Sequence, residues 1–436
     1  MDGFTATKQW VKDTRERLTA FPALARLFEN CFLRTLTTTT EWVPGEDSYV
    51  FTGDIPAMWL RDSASQVLHY LPLCQEDADM KDMVRCLIRR QMMYLRIDPY
   101  ANSFNKTPSN AGHTGDLVKR SPWVWERKYE LDSLCFPLHL SALYVEATGD
   151  STVLDGDYLD TVDVILDTME TEQHHDQRSD YSFIRPGAPP DWSLPNEGRG
   201  RPVGYTGMVW SGFRPSDDPC QYGYLVPANL FAARVLDSLL ELLALMKLDT
   251  EKQRKRITAL RDEIRRGVET YGIVDHPEYG QIYAYEVDGL GGVNLMDDAN
   301  IPSLLALPYL RCLPADDPLY LRTRQFVLSH QNPYYFRGTA AQGVGSPHTP
   351  PGYIWPMSLI IQATTCTSRE EGVRLLRALL ETHAGTYYMH ESFHSDDPAA
   401  FTREWFAWAD SLLAGLVVQR LDEMEDWMRD IPPALR

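Results

Sequence analysis

Asp54-Ile55-Pro56-Ala57-Met58-Trp59-Leu60-Arg61-Asp62-Ser63 puts two carboxylates, a guanidinium, an indole and a hydroxyl within ten residues. A core segment does not bury Asp and Arg without partners. A solvated loop has no use for Met58, Trp59 and Leu60 in a row. The mixture fits a turn lining a pocket, where apolar walls hold a few fixed polar groups. Acids recur beside aromatics or other polar groups at Tyr129-Glu130-Leu131-Asp132-Ser133, from Trp210 to Pro219, at Asp297-Asp298-Ala299-Asn300, at His390-Glu391-Ser392-Phe393-His394 and from Arg403 to Trp408. Aromatic faces stack on sugar rings, and Asp, Asn and Arg bond ring hydroxyls, so a neutral, hydroxyl-rich ligand suits this lining.

Hydrolysis of a glycosidic bond takes one carboxylic acid to protonate the leaving oxygen and a second carboxylate as base or nucleophile. Asp217-Asp218 suits the acid, because adjacent like charges near Trp210 and Phe213 penalise double ionisation. Glu391 suits the second carboxylate. Plainer readings stand beside these: a turn at Ser216-Asp217-Asp218-Pro219, and a solvated loop acid at Glu391. Asp297-Asp298 and Asp396-Asp397 are cation candidates, but no EF-hand pattern surrounds them. The sequence therefore predicts no metal and no cofactor. No GxSxG, P-loop or HExxH motif is present.

The elements that must position these groups read as paired helices joined by very unequal loops. The 3.6-residue period predicts helices over 7–19 and 22–36, 62–72 and 79–97, 131–147 and 156–176, 225–248 and 250–270, 298–308 and 316–330, 354–366 and 368–384, and a last one over 403–421. Ser63 or Asp62 is the expected cap of the third. Ser368-x-x-Glu371 reads as a capping box, with Gly385 as the stop. Residues 225–248 are apolar nearly all round, whereas 250–270 keep one stripe of Ile257, Leu260, Ile264 and Val268. That contrast fits an inner and an outer layer. Residues 271–293 read as a β-hairpin. The polar, aromatic stretches 98–130 and 177–224 read as long functional loops. The expectation is all-α: a single toroid of inner and outer helices spanning 1–436, with long loops gathered over one end and a minor hairpin.

The chain carries 61 acidic against 42 basic residues, a net charge of −19, with no Lys/Arg block. Nucleic acid and anionic membrane surfaces are excluded as partners on that ground. No basic start followed by an apolar run opens the chain, and no uncharged span of about 18 residues occurs. Seven scattered cysteines without zinc spacing read as free thiols in a reducing cytoplasm.

The Asp54–Ser63 segment, Trp210-Ser211-Gly212-Phe213-Arg214-Pro215-Ser216-Asp217-Asp218, Gly345-Ser346-Pro347-His348-Thr349 and His390-Glu391-Ser392-Phe393 together resemble glycoside hydrolase family 125. These are metal-independent exo-α-1,6-mannosidases with an (α/α)6 barrel and an inverting mechanism. The resemblance runs from about residue 10 to 425. It implies Asp218 as general acid, with Asp217 the alternative, and Glu391 as general base. It implies Trp59, Arg61, Asp62, Glu130 and Asp132 around the terminal mannose, with His348, Trp355 and Arg403 also in the site. The implied substrate is an α-mannoside such as an N-glycan-derived oligosaccharide. One departure is visible: Asp410 stands where the family pattern expects Asn. The rival readings are a glucoside-cleaving enzyme of another helical-toroid family, a glycan-binding protein without catalysis, and a lyase, which the acidic charge disfavours.

Overall fold

Helix starts follow local chemistry. Asp77 accepts from the amides of Asp79 and Met80, Asp155 from Tyr158, and Asp317 from Leu319 and Tyr320. Each satisfies donors that an open first turn leaves orphaned. Proline, which has no amide hydrogen to lose, stands in the first turn at Pro318, beside the Asp317 cap, and opens three further helices at Pro22, Pro227 and Pro356.

The computed structural model describes residues 3–189 and 192–436. Its helices are α1 Thr5–Arg17, α2 Pro22–Arg34, α3 Leu60–Ser65, α4 Ala78–Ile97, α5 Leu131–Thr148, α6 Gly156–Glu172, α7 His175–Arg178, α8 Val226–Leu245, α9 Glu251–Gly267, α10 Pro318–Val327, α11 Pro356–Thr365, α12 Arg369–Glu381 and α13 Ala407–Met428. The protein is mostly helical. The buried helices α3, α5 and α8 pack in series, and α13 packs on α2, α3 and α11. Around them lie α4, α6, α9 and α12, which also contact one another or their inner partners. The α8–α9 contrast is as expected: α8 buries residues on every side, and α9 buries Ile257, Leu260 and Ile264 along one stripe. Substituting Ala for a fully buried side chain such as Leu236 would cost about 2–5 kcal/mol.

Three expectations fail for local reasons. Helix α3 begins at Leu60, and neither Ser63 nor Asp62 caps it, because Trp59 holds the cap position and both residues lie inside the helix. It ends at Ser65, and a 3-10 turn over Leu68–Leu73 containing Pro72 replaces the rest. Residues 298–308 form turns rather than a helix: Pro302 and Pro308 remove amide donors, and Asp297 takes the Leu304 and Leu305 amides at 2.8 and 2.9 Å. Helix α12 stops at Glu381, ahead of Gly385. Ser368 does accept from the Glu371 amide, but the Glu371 carboxylate turns outward to Arg324 and Arg374. The last helix begins at Ala407 and runs on to Met428.

The long loops contain short strands that periodicity could not reveal. Met58–Trp59, Ser103–Phe104 and Val124–Glu126 form one antiparallel sheet; Tyr353–Ile354, Ser392–His394 and Asp397–Thr402 form another. The expected hairpin is present as Ile273–His276 against Gly280–Tyr283. All seven cysteines are free thiols. Among the described residues, no helix is long and apolar enough to cross a membrane.

Candidate active site

The two small sheets and the helix starts that follow them converge on one pocket. The first sheet delivers Trp59, and α3 then presents Arg61 and Asp62 from its first turn. The second sheet delivers Trp355, Glu391 and Arg403 at its strand ends. These six line the pocket together with Asp217, His348, Asn300, Phe406 and Trp408. Glu130, Trp355 and Phe406 immediately precede α5, α11 and α13, so three helix N-termini are aimed at this region and favour negative charge there.

The floor is a buried network, in which Arg61 Nε and Asp132 Oδ1 find no partner among the described residues. Arg61 is buried and donates to Glu130 at 2.6 Å and Asp132 at 3.0 Å, with its guanidinium 5.5 Å from the Trp408 ring centre. Glu130 and Asp132 are 1% and 0% exposed, so they act behind Arg61 and do not line the pocket. Asn102 donates to Asp217 at 2.9 Å and to Glu130 at 3.2 Å, and the Lys128 ammonium donates to the Asp217 carbonyl at 2.8 Å. Burial pushes Glu130 well up, opposed by Arg61 and reinforced by Asp217. Burial also acts upward on Asp217, but the charges of Lys128 and Arg61 overcome it and hold that carboxyl at about 2. The double-ionisation penalty expected at Asp217-Asp218 is therefore absent for Asp217.

Residues 214–218 are indeed a turn, and the turn separates the two acids. The Arg214 amide bonds the Asp218 carbonyl, and Asp217 takes a left-handed φ of 68°. Asp217 faces the floor network, whereas Asp218 accepts from the Ser216 hydroxyl at 2.8 Å and lies 3.6 Å from His348 Nδ1. Asp218 joins the pocket through His348, at its mouth.

The mouth is less tightly bonded. No side-chain hydrogen bond or ion pair among the described residues reaches the Asp62 carboxylate; burial pushes it up to about 6, against the opposing charge of Arg61. Glu391 Oε1 is 3.2 Å from Arg403 Nη1, and its other oxygen has no hydrogen-bond partner among the described residues. The same guanidinium forks onto Asp54 through Nε at 3.1 Å and through Nη2. Asn300 spends its side-chain NH2 on Asp298 at 2.9 Å and Ser346 at 3.4 Å, which leaves its carbonyl oxygen for the pocket. Beneath Glu391, the buried Asp410 accepts from the Met389 amide at 2.8 Å and the Cys31 thiol at 3.2 Å, and burial raises it to about 7.

Sequence reasoning missed Asn102 and Lys128, whose only signal was membership of a long polar loop. Asn300 and Trp408 lay inside flagged clusters without being singled out. Asp297 and Asp396 serve as caps, for Leu304 and Leu305 and for Thr339 respectively.

A much roomier cavity, about 1130 Å³ against about 40 Å³, lies at the opposite ends of the same helices. It is lined by His139 to Ala147 late in α5, by Thr364 and Thr365 at the end of α11, and by Ser411 to Glu423 along α13. The smaller space is the candidate site, because there carboxylate oxygens without partners among the described residues meet aromatic walls.

Opposed acids, an amide acceptor and indoles around a narrow pocket in a helical scaffold describe a glycoside hydrolase. The chain belongs to the metal-independent α-mannosidase family GH125, whose model matches residues 22–418. It is 38% identical to the Meiotically up-regulated gene 157 protein of Schizosaccharomyces pombe over 96% of this chain and 86% of that one. It is 42% identical to a Streptococcus pneumoniae metal-independent α-mannosidase solved in a non-productive complex with α-1,6-mannobiose. That structure superposes with a TM-score of 0.94, covering 96% of this chain and 99% of the other. A bacterial glucoamylase complexed with acarbose shares the fold alone, at 12% identity and a TM-score of 0.55 over 91% of this chain and 55% of its own.

Proposed function

We propose that this protein is an inverting exo-α-1,6-mannosidase built as a single (α/α)6 toroid. The observation that carries the reading is the pocket itself. Its floor is the buried Arg61 network, so a chain end enters and stops there, and its mouth holds Asp218 and Glu391 from turns 173 positions apart in sequence. The likeness to a mannosidase solved with α-1,6-mannobiose supports the linkage.

In this mechanism Asp218 gives its proton to the leaving 6-oxygen as the bond from that oxygen to C1 breaks. Glu391 takes a proton from a water whose oxygen bonds to C1 from the opposite face. The unpaired Glu391 oxygen is the one free to accept it, while Arg403 fixes the other. Arg61 and Asp62, with Trp59 and Trp355 as walls, grip the terminal mannose. Such a reaction needs carboxyls roughly 6.5–9.5 Å apart, with water between.

Proton NMR of α-1,6-mannobiose with the protein in EDTA tests the whole reading. Early β-mannose is the expected product. Early α-mannose would replace inversion with retention, and no cleavage by folded protein would leave a glycan-binding role or another glycoside.

A further inference from the structure

In the reading above, Glu391 is a base only while one of its oxygens stays idle beside the guanidinium of Arg403. Such a pair does not prefer that state. A guanidinium binds a carboxylate best through two parallel N–H bonds, which occupy both oxygens. The need for an idle oxygen rests on that reading, and something must enforce it.

The backbone keeps the two side chains together. The Glu391 amide donates to the Arg403 carbonyl at 3.3 Å, one step beyond the Ser392–Thr402 pair of the second sheet. Arg403 has a left-handed φ of 33°, a conformation that a residue other than glycine keeps where its surroundings impose it. The sheet therefore fixes the neighbourhood but not the share of the guanidinium that Glu391 receives.

Asp54 sets that share. It takes the Nε edge of the fork: Nε donates to both of its oxygens at 3.1 Å, and Nη2 donates to Oδ1. Glu391 is left with Nη1, at 3.2 Å from Oε1. The guanidinium also lies 4.9 Å from the centre of the Phe406 ring, which limits its swing. Asp54 itself is outside the pocket lining, with a side chain 42% exposed, so it reaches the reaction through Arg403.

We propose that Asp54 is a positioning residue for the base. By occupying the fork of Arg403, it holds Glu391 to a one-point contact and leaves the second oxygen open to the hydrolytic water. Without Asp54, Nε and Nη2 are free to turn to Glu391. A forked Arg403–Glu391 pair then closes the oxygen that must take the proton. Asp54 also shares the charge of the cation, so Glu391 does not hold all of it.

The test measures kcat and KM on α-1,6-mannobiose, with the melting temperature as the check of folding. Asp54→Ala is expected to lower kcat by about ten-fold or more, a part of the roughly 10²–10⁴-fold worth of a general base, and to leave KM within about two-fold. Asp54→Asn keeps the side chain's shape and gives up its charge, and is expected to lower kcat by about three-fold or more. In an Arg403→Gln background, Asp54→Ala is expected to cost less than about two-fold in kcat, because the fork it occupied is gone. An unchanged kcat in both Asp54 variants, a loss carried by KM, or an equal loss with and without Arg403 would overturn the proposal. Glu391→Gln is run beside them. If it collapses kcat while the Asp54 variants do not, the positioning role fails and the base stands. If Glu391→Gln leaves kcat intact, the assignment of the base fails and the proposal with it.

Discussion

The floor and the mouth of the pocket are both built from acids, yet they are bonded in opposite ways. On the floor, Glu130 and Asp217 are tied to Arg61 and Asn102 with Lys128 alongside, and Asp132 gives one oxygen to Arg61 while its other is buried without a partner among the described residues. At the mouth, among the described residues, no side-chain hydrogen bond reaches the Asp62 carboxylate and Glu391 keeps one oxygen free. An ionised group that is fully paired inside a protein is part of the scaffold, since removing its partner strands a buried charge. One with an idle oxygen is available to a substrate or a water. The difference separates residues that hold a sugar's shape from residues that change it.

That distinction gives graded expectations. Glu391→Gln is expected to lower kcat on α-1,6-mannobiose about 10³-fold, within the 10²–10⁴ span of a general base, while the melting temperature stays within about 2 °C. An equal fall in melting temperature would place Glu391 with the scaffold. Arg61→Ala should do the reverse, costing about 3–5 kcal/mol of stability in a denaturant titration, because two carboxylates lose their shared cation. A cost below about 1 kcal/mol would break the comparison. Asp410→Asn tests a buried acid that supports the mouth from below. Its folded pKa, about 7, lies above the unfolded value of about 3.9, so the fold holds the proton and loses stability as pH rises between those values. The variant's stability relative to the parent is expected to rise by about 1 kcal/mol per unit from pH 5 to 7, and a flat difference would contradict the burial argument. The smallest effect belongs to Asn300→Ala. Loss of one neutral acceptor is worth about 1 kcal/mol, so kcat/KM should fall roughly five-fold to ten-fold through KM.

The same contrast explains what could be read from the chain. The helices were legible because α9 and α12 repeat apolar side chains at helical spacing. The mouth acids were legible because Trp59, Phe393 and Trp405 sit beside carboxylates where a core would not tolerate them. The floor was less so. Nothing around Asn102 or Lys128 announces that one amide will bridge Glu130 and Asp217, because that bond spans 115 positions in sequence. Two-residue strands such as Met58–Trp59 are too short for alternation to register, and the opposed directions of Asp217 and Asp218 depend on one left-handed residue. The turns at 298–308 were misread because three leucines there mimic a helix that Pro302 and Pro308 forbid.

At Gly53, φ is 146° and an added Cβ would stand 2.5 Å from the Trp405 carbonyl oxygen, while Gly53 pairs as a bridge with Phe406. Beside that bridge, Asp54 meets Arg403 across 349 positions. For a chain emerging from a ribosome, this stitch is among the last to be made, and closing so long a loop is slow compared with forming the helices between. Until then α13 cannot settle on α2 and α3, Trp408 is not yet over Arg61, and nothing holds Glu391 opposite Trp59 and Asp62. The pocket is complete only when the two distant segments are sewn together.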